Sequence, residues 1–313
     1  MITPFLDGRI DLRSYHRLLE HYLAAGVAGI FPLGTTGESP TLDEDEMEAI
    51  IDRTLSVTAG RVPVFVGVGG NATSKVVKTL ARLQHYAFDG IVSVCPYYNR
   101  PGQDGLREHF TRIAEATDRP ILIYNIPYRT SVNLTTDTLL ELARLPNIVG
   151  VKDSSGSLAQ SLDLLRRRPD GFAVMTGEDA SLYTMLAHSG DGGILASSHV
   201  ATELFVGVYA HMAANDHRAA RAVWSPRDAR APSLQGSQSD AHQVRPVEVG
   251  ADQLARMPPA LDPDLPGAGG RARPRPARID RRARRGKERH AIGRASRSAV
   301  RRRRTQTRII CLR

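Results

Sequence analysis

Lysine is scarce in this 313-residue chain: of 42 lysines and arginines only Lys75, Lys78, Lys152 and Lys287 are lysines. Cysteine is scarcer still, with Cys95 and Cys311 far apart. That excludes a disulfide framework and sets the expectation of a reduced, cytoplasmic protein. No apolar run approaches about 18 residues, and the first residues lack the charged-then-apolar-then-small order of a signal peptide, so neither export nor a membrane span is expected. No G-x-G-x-x-G opens a helix after an early strand. "GVGGNATS" lacks the G-K-[ST] ending of a phosphate loop, and its glycines read as a turn before a helix starting near Thr73. His85, His109, His188 and His199 fall at scattered positions and read as surface or packing residues, so no metal set is expected.

Charge divides the chain at Trp224. From Ser225 onward stand 22 basic and 8 acidic residues, whereas the first 224 carry 20 basic and 25 acidic. Net charge therefore runs from −5 in the first segment to +14 in the second, and the fold belongs to the first.

Within residues 1–224, short β-branched runs alternate with longer helical stretches. Seven runs read as strands: "GIFPLG" from Gly29, "VPVFVGVG" from Val62, "GIVSVCP" from Gly90, "PILIYN" from Pro120, "NIVGVK" from Asn147, "FAVMTG" from Phe172 and "GGILAS" from Gly192. The opening "MITPF" reads as the clipped end of an eighth, first in order. Between them apolar residues recur three and four apart, as at Leu12, Tyr15, Leu18, Leu19, Tyr22 and Leu23, and capping residues such as Asp43 and Thr73 stand at helix starts. Near-continuous apolar strands in this alternation indicate a parallel sheet covered by helices, and eight units fit a (β/α)8 TIM barrel better than an open sheet.

In such a barrel chemistry gathers at the C-terminal ends of the strands. "GTTGES" places Thr35, Thr36 and Glu38 there, "PYYNRP" places Tyr97 and Tyr98, and "YNIPYRT" places Tyr124 and Arg129. The sixth run ends at Lys152, the seventh leads into "TGED" with Gly177, and the eighth offers Ile194 and Ser197. An amine closing an apolar strand either pairs, reaches water, or loses its proton and becomes a nucleophile. With tyrosine and threonine hydroxyls beside it and an arginine fork for a carboxylate, the set is that of Schiff-base chemistry on a carbonyl compound.

"GTTGES", "PYYNRPGQDGLREHF", "YNIPYRT", "GVKDSSG" and "TGED" resemble, in order and spacing, the motifs of the dihydrodipicolinate synthase family. That family lies within the pyruvate-dependent class I aldolases that include N-acetylneuraminate lyase, and the resemblance covers residues 1–224. It implies that Lys152 forms an imine with pyruvate and that no other cofactor is needed. It makes Tyr124 a proton shuttle connected through Thr35 to Tyr98, which would reach into a neighbouring subunit of a dimer of dimers. Thr36, Gly177 and backbone near Ile194 would line the substrate, and Arg129 would hold the carboxylate of aspartate 4-semialdehyde. That arginine favours the synthase, because the sialic-acid lyases lack it. The implied reaction is condensation to 4-hydroxy-tetrahydrodipicolinate, on the route to diaminopimelate and lysine. Two other readings stay open: a different 2-keto-acid aldolase or dehydratase using the same imine, or an inactive homologue with a basic nucleic-acid-binding arm. One departure bears on control. Members inhibited by lysine carry an acidic residue where Lys75 stands, so weak or absent feedback is expected.

The second departure is the tail. From Ser225 to Arg313 no sustained helical period survives, and the segment reads as disordered, basic and rich in arginine and proline. Its charge would suffice for nonspecific phosphate binding, but no aromatic interleaving or zinc spacing supports a nucleic-acid partner. "LQGSQSDAHQV", residues 234–244, can be encoded so that reading one base later gives "FKEANPMPIK", which matches the family's C-terminal "F-x-E-x-N-P-x-P-x-K" signature. The expectation is that residues 225–313 are out-of-frame translation following a barrel domain of residues 1–224. Resequencing the DNA around codon 224 is expected to reveal the frame change; an intact frame there contradicts it.

Overall fold

The computed structural model describes residues 1–225. The readings placed on residues 226–313, a disordered basic tail among them, lie outside the described residues.

The frame is a parallel sheet of six strands, β3 (Phe65–Gly67), β4 (Gly90–Val94), β5 (Ile121–Asn125), β6 (Ile148–Asp153), β7 (Ala173–Thr176) and β8 (Gly192–Gly193), each paired with the next in chain order. They coincide with the third to eighth runs expected from sequence. Helices connect them, and the curled sheet with alternating helices is that of a (β/α)8 barrel. The helices are α1 (Leu12–Ala24), α2 (Glu44–Thr58), α3 (Thr73–Leu83), α4 (Gln103–Glu115), α5 (Pro127–Thr130), α6 (Thr136–Leu142), α7 (Leu158–Arg167), α8 (Leu182–Ala187), α9 (Thr202–Ala213) and α10 (His217–Trp224).

The first two expected strands differ. The second is reduced to a bridge between Ile30 and Val64, although Phe65 N donates to Ile30 O at 2.9 Å and Gly67 N to Pro32 O at 3.0 Å in parallel fashion. Pro32 has no N–H to give, and Leu33 lies at φ 57, so the ladder stops. The opening residues pair with no strand of the sheet; Thr3 Oγ1 donates instead to Gly37 O at 2.7 Å. Next comes a hairpin that the eight-strand reading did not contain, β1 (Phe5–Leu6) against β2 (Arg9–Ile10). Its turn is Asp7-Gly8, with φ 51 and φ 76, the Asp-Gly pair that a tight hairpin with two positive φ values favours.

Side-chain alternation divides the sheet into two faces. Phe31, Phe65, Val92, Leu122, Tyr124, Ala173 and Met175 form one cluster inside the barrel. Their neighbours Ile30, Val64, Val66, Ile91, Ile121, Ile123, Val151 and Val174 pack outward in the main core under the helices. Burying each such aliphatic side chain stabilises the fold by about 1.5–3 kcal/mol. Helix α2 begins with the expected cap: Asp43 accepts from Glu46 N, and the Glu46 carboxylate accepts from Asp43 N in return. At α3 the expected cap is corrected. Ala72 occupies that place, and Thr73, one residue further on, joins its hydroxyl to His109 Nδ1 at 2.8 Å.

Close pairing of β6 with β7 depends on Gly150, because a Cβ there would run into the Ala173 carbonyl and lie 2.9 Å from Ala173 Cβ. Gly150→Ala is expected to destabilise the barrel by about 1–3 kcal/mol in urea unfolding; an unchanged midpoint contradicts that packing.

Candidate active site

Alternation decides what the strand ends offer. On β5, Tyr124 points inward and Asn125 outward; on β6, its register partner Lys152 points inward and Asp153 outward. The outward residues anchor each strand end. Asn125, fully buried, donates from Nδ2 to Asn133 Oδ1 at 2.9 Å and accepts from Leu134 N at 3.0 Å. Asp153 accepts from Ser161 Oγ at 2.6 Å and from Ser155 N at 3.0 Å. Each inward functional group is thus held by a hydrogen-bonded neighbour one residue along.

Lys152 is 5% exposed. Its Nζ lies 4.0 Å from the centroid of the Tyr124 ring and 5.6 Å from that of Phe31. Burial dominates its electrostatics and lowers its pKa from 10.5 to about 7; Asp179 and Glu178 oppose that shift, and Arg129 adds to it. Such a lowering disfavours the ammonium form by about 5 kcal/mol. Tyr124 is likewise buried, which raises its phenol to about 12, while the hydroxyls of Thr35 and Ser154 and the charge of Arg129 act the other way. No well-aligned hydrogen bond reaches Tyr124 OH or Ser154 Oγ within the described residues.

Thr35 opens a short 3-10 turn, Thr35–Gly37, after the Ile30 segment, with Thr36 behind it. A cavity of about 450 Å3 is lined by Phe31, Thr35, Tyr97, Tyr124 and Arg129. A smaller one of about 80 Å3 holds Lys152 together with Thr36 and Ile194. Ile194 extends the β8 pairing through its N–H to Thr176 O at 2.9 Å. Gly177 is required by space: a Cβ there would collide with Ser154 Oγ and approach Lys152 Cε to 2.9 Å. Seven of the eight residues singled out from sequence therefore line these two cavities, which share Phe31 and Thr35, or abut Lys152. Tyr98 does not: it is 86% exposed and held at φ 71, and its neighbour Tyr97 lines the cavity. Sequence reasoning passed over Ser154, Glu178 and Asp179, whose only signal was their position inside "KDSSG" and "TGED". His199, read as packing, bonds through Nδ1 to Tyr22 OH at 3.0 Å. Among the described residues no group of histidine, cysteine and carboxylate side chains is arranged to hold a metal ion, and no helix is long and apolar enough to cross a membrane.

A desolvated lysine beside tyrosine and threonine hydroxyls, at the strand ends of a (β/α)8 barrel, is a site suited to covalent work on a carbonyl group. Residues 1–225 match the sequence model of the Dihydrodipicolinate synthetase family. The chain belongs to that family. It is 50% identical over 224 residues to 4-hydroxy-tetrahydrodipicolinate synthase 2 of Clostridium acetobutylicum, covering 72% of this chain and 78% of that protein. It is 43% identical over 205 residues to 4-hydroxy-tetrahydrodipicolinate synthase of Nitrosomonas europaea, covering 65% and 70%. The crystal structure of dihydrodipicolinate synthase from Aquifex aeolicus superposes with a TM-score of 0.69 at 37% identity, over 71% of this chain and 76% of that one.

Burial of Lys152 has a cost that depends on pH. Its folded pKa lies below the ordinary 10.5, so the penalty is complete below about 7 and fades as pH rises towards 10.5. Lys152→Met is therefore expected to melt higher than the parent at pH 6–7 by up to about 5 kcal/mol of stability, the gap narrowing as pH is raised. A variant less stable than the parent at neutral pH contradicts this.

Proposed function

We propose that the chain is a lyase that condenses pyruvate with L-aspartate 4-semialdehyde to 4-hydroxy-tetrahydrodipicolinate, with Lys152 as the imine-forming residue. Family membership at up to 50% identity supports the reaction, and the single observation carrying the residue assignment is the desolvated amine held 4.0 Å from the Tyr124 ring. With a pKa lowered to about 7, a substantial share of Lys152 is free amine at neutral pH, whereas an ordinary lysine is almost wholly ammonium there.

The lone pair of Nζ attacks the ketone carbon of pyruvate, and the carbinolamine loses water to give a protonated imine. That cation withdraws electrons from the adjacent methyl group, which surrenders a proton and becomes an enamine carbon nucleophile. Attack on the aldehyde carbon of the semialdehyde forms the new C–C bond. The semialdehyde's own amino group then attacks the imine carbon, displaces Lys152 and closes the ring. Tyr124, with Thr35 beside it, serves as the donor and acceptor of the protons moved. Thr36, Gly177 and Ile194 bound the pyruvate position, and Arg129 supplies the fork for the second substrate's carboxylate.

Tyr98 belongs to the same proposal. Its exposure and positive φ suit a side chain presented to a second copy of the chain, as in the homo-oligomer expected from the resemblance. The division of the chain after residue 224 into a barrel and an out-of-frame tail is also proposed; the family model covers residues 1–225.

Borohydride reduction with pyruvate is expected to add the pyruvate-derived mass to the peptide containing Lys152, and Lys152→Arg is expected to abolish both the adduct and semialdehyde-dependent turnover. Adduct formation without such turnover would assign the imine to another 2-keto acid reaction, and no adduct would remove Lys152 from its role. Exposed Lys75 on α3 opposes binding of a cationic amino acid there, so sub-millimolar L-lysine is expected to leave turnover nearly unchanged. A loss of about tenfold contradicts that expectation.

A further inference from the structure

Asp179 opens the 3-10 turn Asp179–Ser181 that follows β7, and it is 8% exposed. Its carboxylate bonds across to the next loop. Both oxygens accept from Ser197 N at 3.3 Å, and Oδ2 also accepts from Ser197 Oγ at 2.9 Å. Ser197 opens the corresponding 3-10 turn, Ser197–His199, after β8. One buried carboxylate therefore ties together two loops that are 18 residues apart, at the strand ends where Lys152 sits. The loop that carries Asp179 lies against Lys152, because a Cβ on Gly177, two residues earlier, would approach Lys152 Cε to 2.9 Å.

We propose that Asp179 is the positioning residue of the site: it fixes the loop after β8 against the loop after β7 and stands as the counter-charge to the nitrogen of Lys152. The condensation assigned above gives this carboxylate no step, and the proposal rests on that assignment only for the identity of the imine.

The groups that act on the Lys152 nitrogen come from several elements. Tyr124 from β5 presents its ring, Arg129 from α5 repels and Glu178 and Asp179 attract, while burial lowers the Met1 amino group to about 5 and the His199 imidazole well below its ordinary 6.5, so neither adds charge near neutral pH. Of the attractive charges Asp179 is the larger and Glu178 the smaller. Burial raises the pKa of Asp179 itself, while the Ser197 bonds and the charge of Lys152 favour its ionised form. The same nitrogen carries the positive charge as ammonium and as protonated imine, so a fixed carboxylate supports both.

The test separates charge from scaffolding. Trace acylation of the full chain at a series of pH values, with the Lys152 peptide quantified by mass spectrometry, gives the midpoint for the free amine without using pyruvate. Asp179→Asn is expected to move that midpoint down by about one pH unit and to lower kcat for the condensation. Ser197→Ala leaves the carboxylate and its bond from the backbone N–H of residue 197 in place, so it is expected to raise KM with a midpoint shift well short of that in Asp179→Asn. Should Asp179→Asn fail to fold, Asp179→Ser, neutral and still able to accept from Ser197, takes its place with the same expected shift. An unmoved midpoint in the neutral variant, or an equal shift in Ser197→Ala, overturns the proposal. Failure of borohydride and pyruvate to label the parent would instead overturn the assigned function and leave this midpoint comparison intact.

Discussion

The site depends on keeping one amine out of water. An ordinary lysine at neutral pH is an ammonium ion with no nucleophilic lone pair, and the exposed end of a strand would leave it so. Here the parallel sheet brings Lys152 inward beside Tyr124 and Phe31, and loss of hydration lowers its pKa to about 7. The opposing influences are graded. Glu178 and Asp179 restrain the fall and Arg129 deepens it, so the amine is poised near neutrality and remains able to carry the charge of an imine. Folding bears the cost, which the apolar faces of the barrel offset many times over.

Much of the architecture can be read as the means of holding that nitrogen. Strand alternation assigns every second residue to the barrel interior, and the residue after each inward functional group is a buried polar anchor, Asn125 after Tyr124 and Asp153 after Lys152. Gly177 leaves the room in which Ser154 Oγ and Lys152 Cε sit, and Gly150 lets β6 approach β7 closely. These glycines serve through what they lack. The loops after β7 and β8 are joined by Asp179, which makes the open end of the barrel a connected rim at that point.

The sequence made Lys152, Tyr124 and Arg129 legible because each ends or follows a short apolar run at a predictable place in a repeating unit. Strands three to eight were legible for the same reason. The first two were not, since their pairing turns on local backbone: Pro32 cannot donate, Leu33 adopts a positive φ, and Asp7-Gly8 folds the opening segment into a hairpin. Asp179 escaped notice because two adjacent carboxylates before a helix look like a solvated turn, and only the fold brings Ser197 to it. Thr73 was misread as a cap because a threonine before a helix usually is one, whereas here its hydroxyl belongs to His109. Tyr98 stood in the right motif, yet one chain alone displays it to solvent.

The central claim is that the amine of Lys152 is unlike an ordinary lysine's, and the chain's poverty in lysine makes it directly measurable. With four lysines in all, a protein labelled with 15N at lysine Nζ gives a spectrum simple enough to assign by comparison with Lys152→Arg. Titration of that resonance is predicted to show a midpoint near 7. A midpoint near the ordinary 10.5 would contradict the account, because the buried nitrogen would then remain an ammonium ion at the pH where it is asked to act.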